Sequence, residues 1–379
     1  MLDRRRRCAL MSLSALLAMT LAACGGSGGS GSTQAGGAGQ PADTSSVPVP
    51  TTTPPTKITV TTPLAAAPTP GRTFFWLQCE LPICEKITTG VQAAVAAAGW
   101  NYENLVFKSD DPAGGLESAL QRNPDAIGIT GIPSAAIKSQ LAAAAAAGIP
   151  VVTCSPGPEE PSPQTFGAIC SRTTEPDGRN LALWAIKDSG GAANIVSVTV
   201  PSYPSLKTTT DGVAHTVQQH CPTCTADVLD VTVDELAGGR IPAKLVAYLQ
   251  SHPNVNYVLF TFADLQIGVP QTLEAAGMDT IKLIGTGAGP AQFEGIINGG
   301  MDAAWGTFPA QYEGWLMVDA AIRLVDGGDV PPGYQSELDA LPTYIVDTPA
   351  AAQELAPTFD FAGPAGYEEQ FTQLWSVTP

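Results

Sequence analysis

From residue 123 to 154 the chain reads NPDAIGITGIPSAAIKSQLAAAAAAGIPVVTC, a short apolar run, a longer Ala-rich run and a second short apolar run. The first, 126–129, has strand length. Ser134 is placed to cap a helix that runs through the alanines to Gly148, and Pro150 stops it before a strand opens at Val151. Strand, capped helix, Gly stop and strand make a βαβ crossover, which demands a parallel sheet covered on both faces. Ligands bind such sheets at the carboxyl ends of the strands, here 130–133 and Cys154-Ser155.

The same alternation extends both ways. Strands are expected at 72–78, 104–107, 166–169, 194–200, 226–231, 257–261, 281–284, 303–307 and 343–346. Helices are expected at 86–98, 115–121, 175–189, 208–219, 241–251, 265–276, 291–298, 311–325 and 365–375. This pattern predicts an α/β protein of two doubly wound parallel-sheet lobes in series. The folded part, from about residue 71, holds about 300 residues, more than one core usually organises.

Composition changes the picture mainly at the N-terminus. Arg4 to Arg7 precede an apolar run too short to span a bilayer comfortably, and LAACG at 21–25 is similar to a bacterial lipobox. Residues 1–23 are therefore expected to be a lipoprotein signal peptide and Cys24 the lipidated N-terminus, held at the extracytoplasmic face by lipid alone. Residues 24–70, rich in Gly, Ser, Thr, Ala and Pro, read as a disordered tether. Loss of four arginines and one aspartate takes the net charge from −17 to −20, which argues against nucleic acid or an anionic membrane surface as partner. Six cysteines follow Cys24 in close pairs: Cys79 with Cys84, Cys154 with Cys170, and Cys221 with Cys224. Fifteen connectivities are open to six cysteines, and local pairing is the expectation in an oxidising compartment. The CxxC spacing of Cys221 and Cys224 also suits a redox or zinc site, but no second CxxC or His pair completes a metal set, so a structural disulfide is favoured.

Several collinear motifs resemble the type I solute-binding proteins, the ribose/galactose-binding group that serves ABC importers. They are NPDAIGITGIPSAAI with AAAAAAGIPVVT, SHPNVNYVLF with IGVPQTLEAAGM, IKLIGTGAGPAQFEGIINGGMDAAWGTFPAQYEGWL, and the closing YEEQFTQLW. The resemblance spans 72–346. It implies a first lobe of 71–171 plus about 309–340, and a second of 172–308 plus about 341–379. Between them it implies a three-strand hinge that closes around a small ligand. It implies no cofactor, an ABC permease as partner and a monomer.

The family's site positions, carried onto this chain, have changed chemistry. An aromatic pair that sandwiches a sugar is replaced at Pro82-Ile83-Cys84, which keeps only the proline. An Asp-Arg pair becomes Cys154-Ser155, and a binding Arg falls near Lys207. The family's Asn, Asp and Gln become Phe262, Gly287 and Phe308. The implied ligand-binding set is Leu77, Glu80, Ile83, Cys84, Thr130, Ser155, Lys207, Phe262, Asp264, Gly287 and Phe308. Sugar recognition depends on buried donors and acceptors. Either those groups are relocated to Glu80, Lys207 and Asp264, or the ligand is less polar than a free sugar. Trp76, Tyr203 and Trp305 are candidates to stack on a ring, with core packing as the alternative.

Other functions find less support. Gly285–Gly289 lacks the GxGxxG spacing and the downstream acid of a dinucleotide site. His215, His220 and His252 fall within or at the ends of the expected helices without an obvious Ser or Cys partner, and no HExxH, P-loop or GxSxG occurs. A repressor of the same fold needs a helix-turn-helix where this chain has the lipobox and linker. Presentation of the closed form to a receptor kinase, rather than to a permease, is the remaining alternative.

Overall fold

The first strand has no polar face. Phe74 and Trp76 point to one side of it and Phe75 and Leu77 to the other, so the sheet that contains it is covered twice. The computed structural model describes residues 44–80, 82–108, 110–154, 165–169, 174–327, 333–338, 340–356 and 358–376. Pro41–Pro379 form one compact unit.

In the first lobe, strands β1 (Thr73–Gln78), β2 (Asn101–Val106), β3 (Ala126–Thr130), β4 (Val151–Cys154) and β5 (Thr165–Ile169) form a parallel sheet of order β2-β1-β3-β4-β5. One face carries α2 (Pro112–Leu120) and α3 (Lys138–Ala147). Gly148, at φ 70°, ends α3 in the left-handed conformation that glycine adopts freely. Ser134 does not cap that helix. Ser134–Ile137 form a 3₁₀ turn, and α3 starts after it.

The other face carries α1 (Pro82–Ala97) and α10 (Ala310–Ile322), which enters from the far end of the sequence and continues into a π turn, Arg323–Gly327. The two helices meet backbone to backbone. A Cβ on Gly90 would lie 1.9 Å from the Gln311 carbonyl oxygen, and one on Gly314 2.5 Å from the Val91 nitrogen.

The second lobe contains α4 (Thr174–Asp188), β6 (Asn194–Thr199), α5 (Pro204–His220), β7 (Thr225–Asp230), α6 (Val233–Ala237), α7 (Ile241–Ser251) and β8 (Tyr257–Phe260). It continues through α8 (Val269–Ala275), β9 (Lys282–Thr286), α9 (Pro290–Ile297) and β10 (Asp302–Gly306). Its sheet has order β11-β10-β9-β8-β6-β7, parallel except for β11 (Ile345–Val346), which runs antiparallel to β10. Helices α4 and α5 cover one face, with α7, α8 and α9 on the other. The short helices α6, α11 (Tyr334–Leu338) and α12 (Pro349–Glu354) were not legible as periodic runs.

Two sequence expectations differ from the structure. Residues 44–70 are not a free tether over their length: Val47 is 5 % and Val60 1 % exposed, one in the core of each lobe. The C-terminal stretch 341–379 does not stay with the second lobe either. Helix α12, Phe359 and Phe361 pack on that lobe. Beyond them α13 (Tyr367–Leu374) returns to the first lobe, where Tyr367, Phe371 and Trp375 stack around Trp315. The chain thus joins the lobes between β5 and α4, at Thr307–Pro309 and between α11 and β11, as a three-strand hinge requires. It joins them again at Phe361-Ala362 and through 52–57.

Candidate functional site

Apart from the β10–β11 pair, the described strands of both lobes run parallel to their neighbours, so the loops after those strands gather at one edge of each sheet. In the first lobe the loop after β1 is tied by the Cys79–Cys84 disulfide to the start of α1. That ring displays Glu80, which is exposed, and Ile83, which is half-buried against the core. Cys84 itself is 2 % exposed and committed to the disulfide. In the second lobe Tyr203 precedes α5, and Phe262 leads in extended conformation into a 3₁₀ turn, Ala263–Gln266, that carries Asp264.

These loops also influence one another electrostatically across the lobes. The Tyr203 phenol is pushed up first by burial and then by the Glu80 carboxylate of the other lobe. Burial likewise raises Asp264, and the Lys86 ammonium from α1 partly offsets it. Lys86 also lies 3.0 Å from Asp360, next to the Phe361-Ala362 crossing. At the base of the cleft Gly287, at φ 68°, approaches Phe308: a Cβ on this glycine would lie 4.0 Å from the Phe308 Cβ. Phe308 and Phe262 are half-buried, each against the core of its own lobe.

The structure therefore brings Glu80, Ile83, Phe262, Asp264, Gly287 and Phe308 to the loops at these sheet edges. The remaining sequence candidates are placed differently. Leu77 is fully buried among Phe107, Leu116 and Ile127 beneath α2, and offers a ligand no surface. Thr130 is buried, and its hydroxyl donates to the Cys154 carbonyl at 3.1 Å. Lys207 is exposed on α5, with its ammonium 2.6 Å from Asp211 one turn on. Ser155 lies outside the described residues. So does Cys170; Cys154 is disulfide-bonded, and Cys221 is bonded to Cys224.

Of the ring-stacking candidates, only Tyr203 stays at the cleft. Trp76 is fully buried and donates from Nε1 to Thr88 Oγ1 at 2.7 Å. Trp305 is fully buried, stacked on Phe260 and bonded to Asp302. Strand alternation carries this signal, because Trp76 shares the face of Phe74.

Sequence reasoning missed Lys86 and a buried chain of side chains behind the second-lobe loops. Asp302 accepts from Gln266 Nε2 at 2.5 Å, Gln266 accepts from Gln292 at 2.7 Å, and Gln292 accepts from the Gly289 amide at 3.0 Å. This chain fixes the Asp264 turn to the Gly287–Gly289 loop, and burial pushes Asp302 up to about 6 despite its two donors. Apart from the local Gly289–Gln292 contact, its links span 26 and 36 residues, so no local spacing announces it. An open cavity of about 390 Å³ adjoins the second-lobe wall at Ser202, where the ends of β6 and β7 meet. Among the described residues no His, Cys, Asp and Glu cluster is arranged to hold a metal ion, and no helix is long and apolar enough to cross a membrane.

The profile of the periplasmic binding protein domain family matches residues 74–329. No curated protein matches the chain. Among solved structures it is similar to an ABC transporter solute-binding protein from Mycobacterium smegmatis with bound glycerol, at 21 % identity and a TM-score of 0.63, over 76 % of this chain and 98 % of that one. It is also similar to a periplasmic ribose ABC transporter protein from Conexibacter woesei, at 15 % identity and 0.64, over 78 % and 98 %. A third is the 5-methylthioribose transporter solute-binding protein from Thermotoga lettingae in complex with that ligand, at 16 % identity and 0.63, over 83 % and 99 %.

Proposed function

The chain belongs to the periplasmic binding protein domain family, and from that membership we propose that it is a lipid-anchored extracytoplasmic receptor that closes two lobes around a small ligand and delivers it to an ABC permease. The observation that carries this reading is the ion pair between opposite lobes, Lys86 of α1 with Asp360 at 3.0 Å, beside which Glu80 is close enough to raise Tyr203 and Lys86 to influence Asp264. A cleft walled by two loop sets suits enclosure of a solute.

The ligand class follows from what lines the cleft. Phe262, Phe308, Ile83 and Tyr203 supply apolar and aromatic surface, and Glu80, Lys86 and Asp264 supply charged groups among the described residues. A ring compound with fewer hydroxyls than a free hexose, and a polar substituent that reaches Glu80 or Asp264, fits this set. Similar proteins have been solved with glycerol and with 5-methylthioribose, the second a sugar with an apolar thioether. A thermal-shift screen of sugars, sterols, aromatics and small acids tests the idea, and stabilisation by pentoses or hexoses alone counts against it. Against the best hit of that screen, Phe262→Ala and Phe308→Ala are each expected to weaken binding roughly 10- to 100-fold, the cost of losing about 1.5–3 kcal/mol of aromatic contact. Calorimetric affinities equal to wild type remove both residues from the site.

The anchor rests on the LAACG sequence at 21–25. In cells fed a radioactive fatty acid, the wild-type protein is expected to carry label and Cys24→Ala to carry none. Equal labelling of the two ends the lipoprotein reading.

A further inference from the structure

Residues 44–69 hold on to both lobes. At the second-lobe end Val47 is buried in the core, and the Thr51 amide donates to Asn180 Oδ1 at 2.7 Å. The Thr51 carbonyl accepts from Ile345 at 2.8 Å, which adds one residue to the outer edge of β11. At the first-lobe end the Thr59 amide donates to the Tyr312 hydroxyl at 2.8 Å, and Arg323 donates to the Thr62 carbonyl at 2.7 Å. The Leu64 amide donates to the Leu374 carbonyl at 2.8 Å. Between the anchored ends run residues 52–57, TTPPTK. Six residues span at most about 20 Å, and the adjacent prolines fix two of the backbone φ angles, so the reach of this crossing is bounded.

Ordinary hinge segments connect lobes at element ends and absorb rotation in a few backbone angles. A short crossing anchored by buried residues on both sides does something else, because it bounds the distance between its anchors. Thr51 also pairs with β11 directly beside the crossing between α11 and β11, so any rotation at that hinge segment must move the strap with it. We propose that 44–69 is a strap of fixed reach that limits how far the lobes open. The segment that joins the fold to the upstream chain would then set the open–closed equilibrium, and with it ligand affinity, without touching the cleft.

The test lengthens the strap and leaves both ends in place. Six Gly/Ser residues inserted between Pro54 and Pro55 add about 20 Å of reach. Distances are read by electron–electron double resonance between spin labels attached through non-cysteine chemistry at Lys138 and Glu274. Both positions are exposed, one in each lobe. In the full chain without ligand, the insertion is expected to move the mean separation outward by about 5 Å, well within the added reach. Thr51→Pro removes the amide bonded to Asn180, loosens the second-lobe end and is expected to shift the distribution the same way. A distribution unchanged or narrowed in both variants, with thermal unfolding like wild type, overturns the proposal.

Discussion

Asp319→Ala is expected to cost about 3–5 kcal/mol of stability, because it leaves a buried guanidinium without its counter-charge. Asp319 is fully buried on α10 and Arg323, one turn on, is 3 % exposed. Asp319 accepts from Arg323 Nε at 2.9 Å, from Trp375 Nε1 at 2.7 Å and from the Tyr334 hydroxyl. Burial, and then the Asp319 carboxylate, hold the Tyr334 phenol well above its ordinary range, so it stays a donor. Arg323 in turn reaches the Thr62 carbonyl. One carboxylate, directly and through Arg323, therefore gathers α10 and the nearby α11 with α13 and the N-terminal strap, which are distant in sequence. Denaturant unfolding measures the loss, and hydrogen exchange should show faster opening at α13 and 58–69 than in the second lobe. The double variant Asp319→Leu/Arg323→Met removes both charges and is expected to recover only the part of the loss that comes from the unpaired guanidinium, because Trp375 and the Tyr334 hydroxyl still lose this acceptor. A single variant within about 0.5 kcal/mol of wild type, the range of an ordinary surface change, would show that the cluster does not hold these segments.

This cluster also shows where sequence reading stops. The βαβ unit from Ala126 to Cys154 was legible because its signals are local: an all-apolar run, an Ala-rich helix, and a Gly that takes the left-handed angle at its end. The strand set and the two lobes followed from repetition of that pattern. The strap was not legible, since its composition matches a tether and its order comes from partners such as Tyr312, 253 residues away from Thr59. The return of α13 to the first lobe was hidden in the same way: Trp375 meets Trp315 only after the chain has crossed lobes again. At the sheet edge, aligned positions such as Phe262 and Phe308 fell on loops that follow strands β8 and β10. Leu77 did not, because the residue before a strand's last position points to whichever face alternation dictates. Lys86 was missed because Asp360 and Asp264 lie 274 and 178 residues from it. Local pattern locates elements, while long-range polar pairing has no signature in a single sequence.

Glu313→Met is expected to stabilise the protein in a pH-dependent way, most at pH 8 and least near pH 5. Glu313 sits in the first turn of α10, just past the Thr307–Pro309 crossing, and is fully buried. Among the described residues neither carboxyl oxygen has a hydrogen-bond partner. Burial alone pushes the group up from 4.5 to about 8. Below pH 4.5 both folded and unfolded chains carry the proton, and the side chain imposes no pH-dependent penalty. Between 4.5 and about 8 the unfolded chain releases the proton while the folded chain retains it. Each pH unit in that window lowers stability by about 1.4 kcal/mol, and the penalty levels off once the folded group ionises. At pH 7 this amounts to about 3 kcal/mol. Methionine has nearly the same volume and no ionisable group, so the variant should escape the penalty and pack without a new cavity. Unfolding free energies at pH 5 and pH 8 decide the matter. A gain of similar size at both values would trace the effect to packing and not to the proton. A loss at both would mean that the carboxyl has a partner in solution that stabilises the folded chain.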